Sequence, residues 1–227
     1  MIKNDKKKSK NSKTVFWKNL IYLSNILFFF NFNFCHTTTE NMEEFKIVLM
    51  GNSITQSWKE FNPDFFLKNP FLVNKGISGQ TTVEMLERFS KDVISASPKA
   101  VFILAGINDI AQNSGYISIE DIAKNIITMG LMAKEKNIHV VICSALPVSE
   151  IRWNDKINEP NEKVLDLNKK LIKAVKKHDF IYLDYYTQML DELDDLTYDG
   201  LHPNLDGYTK MESIITKTID KIISKNN

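Results

Sequence analysis

Lys46-Ile47-Val48-Leu49-Met50-Gly51-Asn52-Ser53-Ile54-Thr55 is an apolar run that breaks abruptly into a glycine, an amide and a hydroxyl. Consecutive apolar residues without polar alternation describe a strand covered on both faces, the usual state of a central strand in a parallel sheet. The run is the first of five: Phe45–Met50, Phe71–Asn74, Ala100–Ala105, His139–Cys143 and Ile181–Leu183. The segments between them carry helical spacing. Thr82–Val93 sets Val83, Leu86, Phe89 and Val93 on a stripe, and Ser118 caps a helix reaching Lys136 with Ile122, Ile126, Met129 and Ala133 along one side. Glu159–Lys177 repeats the pattern with Val164, Leu167, Leu171 and Val175, and Leu205–Ile223 supplies the last helix. This alternation predicts an α/β protein of three layers, α/β/α, with a flavodoxin-like doubly wound arrangement on a five-stranded parallel sheet. Pro147–Pro160 is expected as the longest surface loop.

The chain has 227 residues, 43% of them hydrophobic, which suits one well-filled core. Its formal charge of +1 hides an uneven distribution: residues 1–20 hold seven lysines against the single acid Asp5, and the remainder carries 22 basic and 27 acidic residues. The body has no basic cluster of the kind nucleic acid requires, so no nucleic-acid partner is expected. The leader, residues 1–42, pairs a lysine-rich start with an apolar run from Trp17 to Phe34, which suggests an export signal or membrane anchor. Asn19, Asn25, Asn31 and Asn33 weaken a spanning reading, because buried amides are costly in hydrocarbon. Phe34-Cys35 lacks the small residues of a good cleavage site, and translation starting at Met42 is the alternative. An exported protein is expected, periplasmic, extracellular or anchored, with membrane contact only through residues 17–35; a start at Met42 implies a cytoplasmic one. Cys35 and Cys143 alone make neither a disulfide framework nor a structural zinc site.

Open α/β sheets place their sites beyond the carboxyl ends of the strands. There the small and polar residues gather: Gly51 to Thr55, Asn74 to Thr82, Ala105-Gly106-Ile107-Asn108-Asp109, and Asp199-Gly200-Leu201-His202-Pro203. Singly, each has an ordinary reading, since a serine after a strand is commonly a turn or helix cap. His202 stands apart, because His139 starts a strand and His178 ends a lysine-rich helix. Their joint occurrence, in order and at successive strand ends, is what points to chemistry.

The four segments together resemble the SGNH, or GDSL-like, hydrolase family over about residues 44–222. The family's Gly-Asp-Ser block stands here as Gly51-Asn52-Ser53, its Gly-x-Asn-Asp block as Gly106 to Asp109, and its Asp-x-x-His block as Asp199 to His202. Lys75-Gly76-Ile77-Ser78-Gly79-Gln80-Thr81-Thr82 matches the second block. The resemblance makes residues 43–227 the hydrolase domain, Ser53 the nucleophile, His202 the base and Asp199 its orienter. It makes the Ser53 and Gly79 amides and the Asn108 side chain the oxyanion donors. Asn52 departs from the usual aspartate, which alters hydrogen bonding beside Ser53 while leaving the later catalytic aspartate in place. The chain lacks the G-x-S-x-G elbow of larger α/β hydrolases, because residue 55 is threonine.

That chemistry is serine ester hydrolysis and requires no metal or cofactor. Ile54, Ile107, Leu146, Pro147, Trp153 and Leu201 are candidate substrate contacts, Trp153 equally a core cover. Asn52, Asn74 and Asp109 are read as supports for the catalytic loops. The expected substrate is a short acyl ester of a carbohydrate or similar polar molecule, with a lysophospholipid or thioester carrying a longer chain as the alternative. A silent carbohydrate-binding protein on the same fold, or a flavodoxin-like binding domain, are the non-enzymatic readings; the retained serine, histidine and asparagine argue against the first, and the Asp199–His202 pair, which has no role there, against the second. The last helix leaves two readings open, packing on the domain or forming a homodimer face.

Overall fold

The computed structural model describes residues 45–225, so the leader assigned to residues 1–42 lies outside the described residues. Strand β1, Ile47–Gly51, is hydrogen-bonded on one side to β2, Leu72–Gly76, and on the other to β3, Ala100–Leu104. Strands β4, His139–Cys143, and β5, Ile181–Leu183, extend the sheet beyond β3. All pairs are parallel and the order is β2-β1-β3-β4-β5. The five-stranded parallel sheet read from the apolar runs is therefore present. β1 and β2 each carry on through the glycine that follows the apolar run, to Gly51 and Gly76.

Alternation along these strands divides the core into two layers, because successive side chains leave a strand on opposite faces. Val48, Met50, Val101, Ile103, Val140 and Ile142 pack with buried residues of α3, Thr82–Asp92, α5, Ile119–Lys134, and α6, Pro160–His178. Ile47, Leu49, Phe102, Leu104, Val141 and Cys143 face the other way. They are covered by α1, Ser53–Phe61, α2, Pro63–Lys68, and the C-terminal α9, Leu205–Lys225. The last helix thus packs on the domain through Met211, Ile214, Ile215, Ile219 and Ile222, as one of its two sequence readings had it. Short helices α4, Ile107–Ile110, α7, Tyr186–Met189, and α8, Leu193–Leu196, complete the connections. Cys143 ends β4 with its thiol buried, and burial pushes that thiol far above its ordinary range.

Helix α2 is too short to show an apolar period, whereas α1 carries Ile54, Trp58 and Phe61 at helical spacing. Between them they bury Ile54, Thr55, Trp58, Phe65 and Phe66. Trp58 stacks on Phe65 at 5.6 Å and on Tyr208 of α9 at 5.7 Å, tying this corner to the last helix. Helix α1 lies so close to β2 that a Cβ on Gly76 would sit 2.1 Å from the Gln56 backbone nitrogen. No side chain larger than hydrogen fits there without moving the helix that begins at Ser53. Among the described residues, no helix is long and apolar enough to cross a membrane.

The strand order sets the location of the site. The chain steps from β1 outward to β2, then returns across β1 to β3. The connections after β1 and β3 therefore leave opposite faces of the sheet and open a crevice between their carboxyl ends. Ser53 follows β1 and Asn108 follows β3.

Candidate active site

Ser53 is the first residue of α1, and Asn52 before it is the cap. The Asn52 side chain is buried, and its Oδ1 accepts from the Ile54 amide at 3.4 Å, one of the first-turn donors a helix cannot satisfy by itself. An asparagine serves this role as well as an aspartate does, without placing a charge beside the nucleophile. Asn74 fastens the same helix from β2: its Nδ2 donates to the Thr55 carbonyl at 2.6 Å, and its Oδ1 accepts from the Gly76 amide at 2.9 Å.

The second group arrives from the opposite end of the chain. Thr197 and Pro203 form an antiparallel bridge, and the loop between them carries Asp199 and His202. Asp199 Oδ1 accepts from the backbone amides of Leu201 at 3.0 Å and His202 at 2.6 Å, so the carboxylate folds its own loop. Its other oxygen, Oδ2, lies 2.7 Å from His202 Nδ1, and His202 Nε2 lies 3.0 Å from Ser53 Oγ. An ionised carboxylate only accepts, so Nδ1 holds the imidazole proton and Nε2 is the bare nitrogen that accepts from the serine hydroxyl. Partial burial pushes the Asp199 carboxyl up. The His202 amide, the imidazole and the Leu201 amide outweigh it and hold the group below the ordinary carboxylate range.

The third group comes from the β2–α3 and β3–α4 connections. Gly79 has φ +80°, a left-handed conformation, and a Cβ built on it would meet no heavy atom within 4 Å. Backbone conformation, then, is what calls for glycine here, not crowding. Asn108 is buried, and its Nδ2 donates one hydrogen to the Gln80 carbonyl at 2.9 Å; an amide nitrogen has two. Asp109 turns away from the serine. Its carboxylate receives the Thr82 hydroxyl at 2.6 Å and the Thr82 amide at 2.9 Å, fixing the start of α3. Burial raises its carboxyl, against the pull of those Thr82 bonds.

The candidate substrate contacts separate into two sets. Ile54, Ile107, Leu146 and Leu201 line one small cavity with Asn52, Leu104, Ala105 and Ala145. Its volume is about 10 Å³ and its lining is almost wholly apolar. Trp153 is not part of it; its ring lies 6.0 Å from that of His202 and is 47% exposed. Pro147 is not among the cavity's lining residues. A larger cleft of about 370 Å³ runs beneath the same loop, lined by residues such as Ser149, Arg152, Asp155 and Pro160, and touches none of Ser53, Asp199 or His202.

Several residues that hold the site together carry no motif. Asn168, buried on α6, makes two bonds to the backbone of Ala145, at 2.9 and 3.0 Å, and so fixes the segment bearing Leu146. Arg88 of α3 donates to the Gly51 carbonyl at 3.0 Å and also to the Gln80 side chain, bridging the two connections beside Ser53 and Gly79. Tyr198 stacks on His202 at 5.7 Å, and Phe61 stacks on Tyr198 at 5.9 Å. The one available signal was Asn168 itself, a polar residue inside the apolar stripe of Val164, Leu167, Leu171 and Val175. Among the described residues no group of three metal-ligating side chains converges.

A Ser–His–Asp arrangement at the switch point of a parallel sheet defines a serine hydrolase. Comparison with known proteins gives the family. Residues 49–210 match the GDSL-like Lipase/Acylhydrolase family, to which the chain belongs. A GDSL-like lipase from Bacteroides thetaiotaomicron is 36% identical, superposes with a TM-score of 0.76, and shares 83% of this chain and 98% of its own. A candidate acylhydrolase from Bacteroides fragilis, also 36% identical, has a TM-score of 0.73 over 78% of this chain and 86% of its own. The N-acylneuraminate cytidylyltransferase of Escherichia coli is 31% identical over 181 residues, which is 76% of this chain and 40% of that protein. The chain spans between a third and two fifths of the length of the curated relatives it matches. Its fold, its Ser53–His202 pairing and its family are those of a serine-type ester hydrolase.

Proposed function

We propose that the protein removes acetyl or similarly short acyl groups from a carbohydrate or comparably polar alcohol. Ser53 Oγ attacks the ester carbonyl while its proton passes to His202 Nε2, and the carbonyl oxygen becomes the oxyanion. Asp199 stabilises the imidazolium so formed. Collapse of the tetrahedral intermediate breaks the bond to the alcohol, which leaves with the proton from Nε2. Water then attacks the acyl-serine by the same route, giving the carboxylic acid and restoring Ser53. The oxyanion is received by the amides of Ser53 and Gly79 and by the second hydrogen of Asn108 Nδ2. Asn108→Ala should then lower kcat on the order of 100- to 1,000-fold with little change in KM, the usual loss for one oxyanion donor; steady-state kinetics check it.

The observation that carries the acyl assignment is the cavity of about 10 Å³ between Ile54, Ile107, Leu146 and Leu201, of which Ile54, Ile107 and Leu201 are next in sequence to Ser53, Asn108 and His202. Such a space holds about one water-sized group, hence a methyl and little more. Hydrolysis of p-nitrophenyl esters from acetate to dodecanoate by residues 43–227, beside the Ser53→Ala variant, tests the reading. Turnover should depend on Ser53 and fall steeply beyond butyrate. Leu146→Ala should move the optimum toward butyrate or hexanoate by enlarging the cavity. Turnover rising with chain length in the parent enzyme would replace the assignment with a lysophospholipase or thioesterase. The lysine-rich, apolar leader supports export of the enzyme toward extracellular or envelope substrates.

A further inference from the structure

Hydrolysis divides an ester into an acyl half and an alcohol half, and the positions of the catalytic atoms say which side is which. On the proposed reading, the acyl half enters the small apolar cavity between Ile54, Ile107, Leu146 and Leu201. The alcohol oxygen must approach His202 Nε2, because that nitrogen delivers its proton. Whatever the alcohol carries therefore extends past the His202 ring into the open mouth of the site.

At that mouth stands Trp153. Its indole lies 6.0 Å from the His202 ring, and nearly half of its surface is exposed. An exposed indole on a long loop would ordinarily be mobile, yet this one is fastened. Its Nε1 donates to Asn113 Oδ1 at 2.8 Å, and Asn113 Nδ2 donates to the Gly79 carbonyl at 3.1 Å. The only polar atom of the indole is thus used within the protein, and its open face is apolar. The exposed residues around it are mixed: Asn113 and Ser114 carry an amide and a hydroxyl, Arg152 and Asp155 lie on its own loop, and Tyr198, also exposed, stacks on the same His202 ring.

We infer that Trp153, held by Asn113, is the alcohol-side subsite and stacks against the apolar face of a pyranose ring bearing the ester. A sugar ring offers C–H groups on its faces and hydroxyls around its edge, which suits a flat indole with polar and charged side chains nearby. Because the platform is already immobilised, little ordering accompanies binding. The same contact divides the pooled contact residues into an aliphatic acyl set and an aromatic alcohol set. The inference rests on the deacetylation reading and sharpens it.

The test compares a monoacetylated methyl glucopyranoside with ethyl acetate, which has the same acyl group and no ring. Trp153→Ala should lower kcat/KM on the sugar ester at least tenfold more than on ethyl acetate, chiefly through KM. Equal losses on both esters, or none on either, would overturn the subsite. Binding of the sugar ester to Ser53→Ala, followed by calorimetry, is measured with and without Trp153→Ala and should weaken at least fivefold in the double variant. Binding that depends on Trp153, in an enzyme that hydrolyses neither acetate, would keep the platform and sink the deacetylase reading. Binding that ignores Trp153 would sink the platform alone.

Discussion

Ser53→Ala should reduce ester turnover by at least about 10⁴-fold, with residual activity coming from the oxyanion donors and substrate binding that survive. The loss should fall on kcat, since the hydroxyl does chemistry and contributes little to holding substrate. His202→Ala should cost about as much, and the double variant little more than either. A nucleophile without its base and a base without its nucleophile both leave the step undone. The fold should be indifferent to the change at Ser53. Asn52 provides the cap of α1, and the only side-chain bond of the Ser53 hydroxyl among the described residues is the one to His202. Thermal unfolding within a degree or two of the parent, together with loss of phosphonate labelling at Ser53, checks both halves. A variant retaining a tenth of the parental rate would remove Ser53 from the nucleophilic role.

Asp199→Asn should lower kcat by about 10⁴-fold, although it changes a single oxygen into an amide nitrogen. The reason lies in the loop itself. Oδ1 accepts from two backbone amides, at 3.0 and 2.6 Å. An asparagine has one accepting oxygen, and it must stay on those amides to keep the turn. Its NH₂ then faces His202 Nδ1, which has to give up its proton to accept. The imidazole proton moves to Nε2, where the serine needs a bare nitrogen. The effect is one of tautomer, so the variant should fold, bind substrate and fail in the step that takes the serine proton. Asp199 also links stability to pH. Its carboxyl is held below the ordinary range in the folded chain, so its contribution is present above the unfolded value and is lost as pH falls through the folded one. The stability gap between the parent and Asp199→Asn should accordingly shrink on acidification below about pH 4, as urea unfolding at successive pH values would show. A gap unchanged across that range would contradict the linkage.

What could be read without coordinates is local. A buried parallel strand declares itself through an unbroken apolar run, and all five runs became strands. The catalytic segments are contiguous, because a turn that places Asp199 on Nδ1 of His202 is written within a few residues. The supports are a different matter. Asn168 reaches Ala145 across 23 positions, Arg88 reaches Gly51 across 37, and Trp153 finds Asn113 across 40. Each is an ordinary polar or aromatic residue until the sheet brings its partner near. Helix α2 is illegible for a related reason: a span of 6 residues offers too few turns for a helical period to stand out. Helix α1 shows one in Ile54, Trp58 and Phe61, and burial against the sheet and α9 stabilises both more than propensity does.

The bond between Ser53 and His202 joins positions 149 apart, with all the sheet strands after β1 between them. The nucleophile is made well before its base. Every nascent chain short of the Thr197–Pro203 bridge therefore carries a serine with no proton acceptor. Strand β1 gains its neighbours before that point, but α9, which packs against α1 through Trp58 and Tyr208, comes later still. Activity therefore waits on the Thr197–Pro203 segment: no shorter nascent chain holds both the serine and its base. A single cut between β5 and Asp199 that lets the C-terminal piece go would return it to silence.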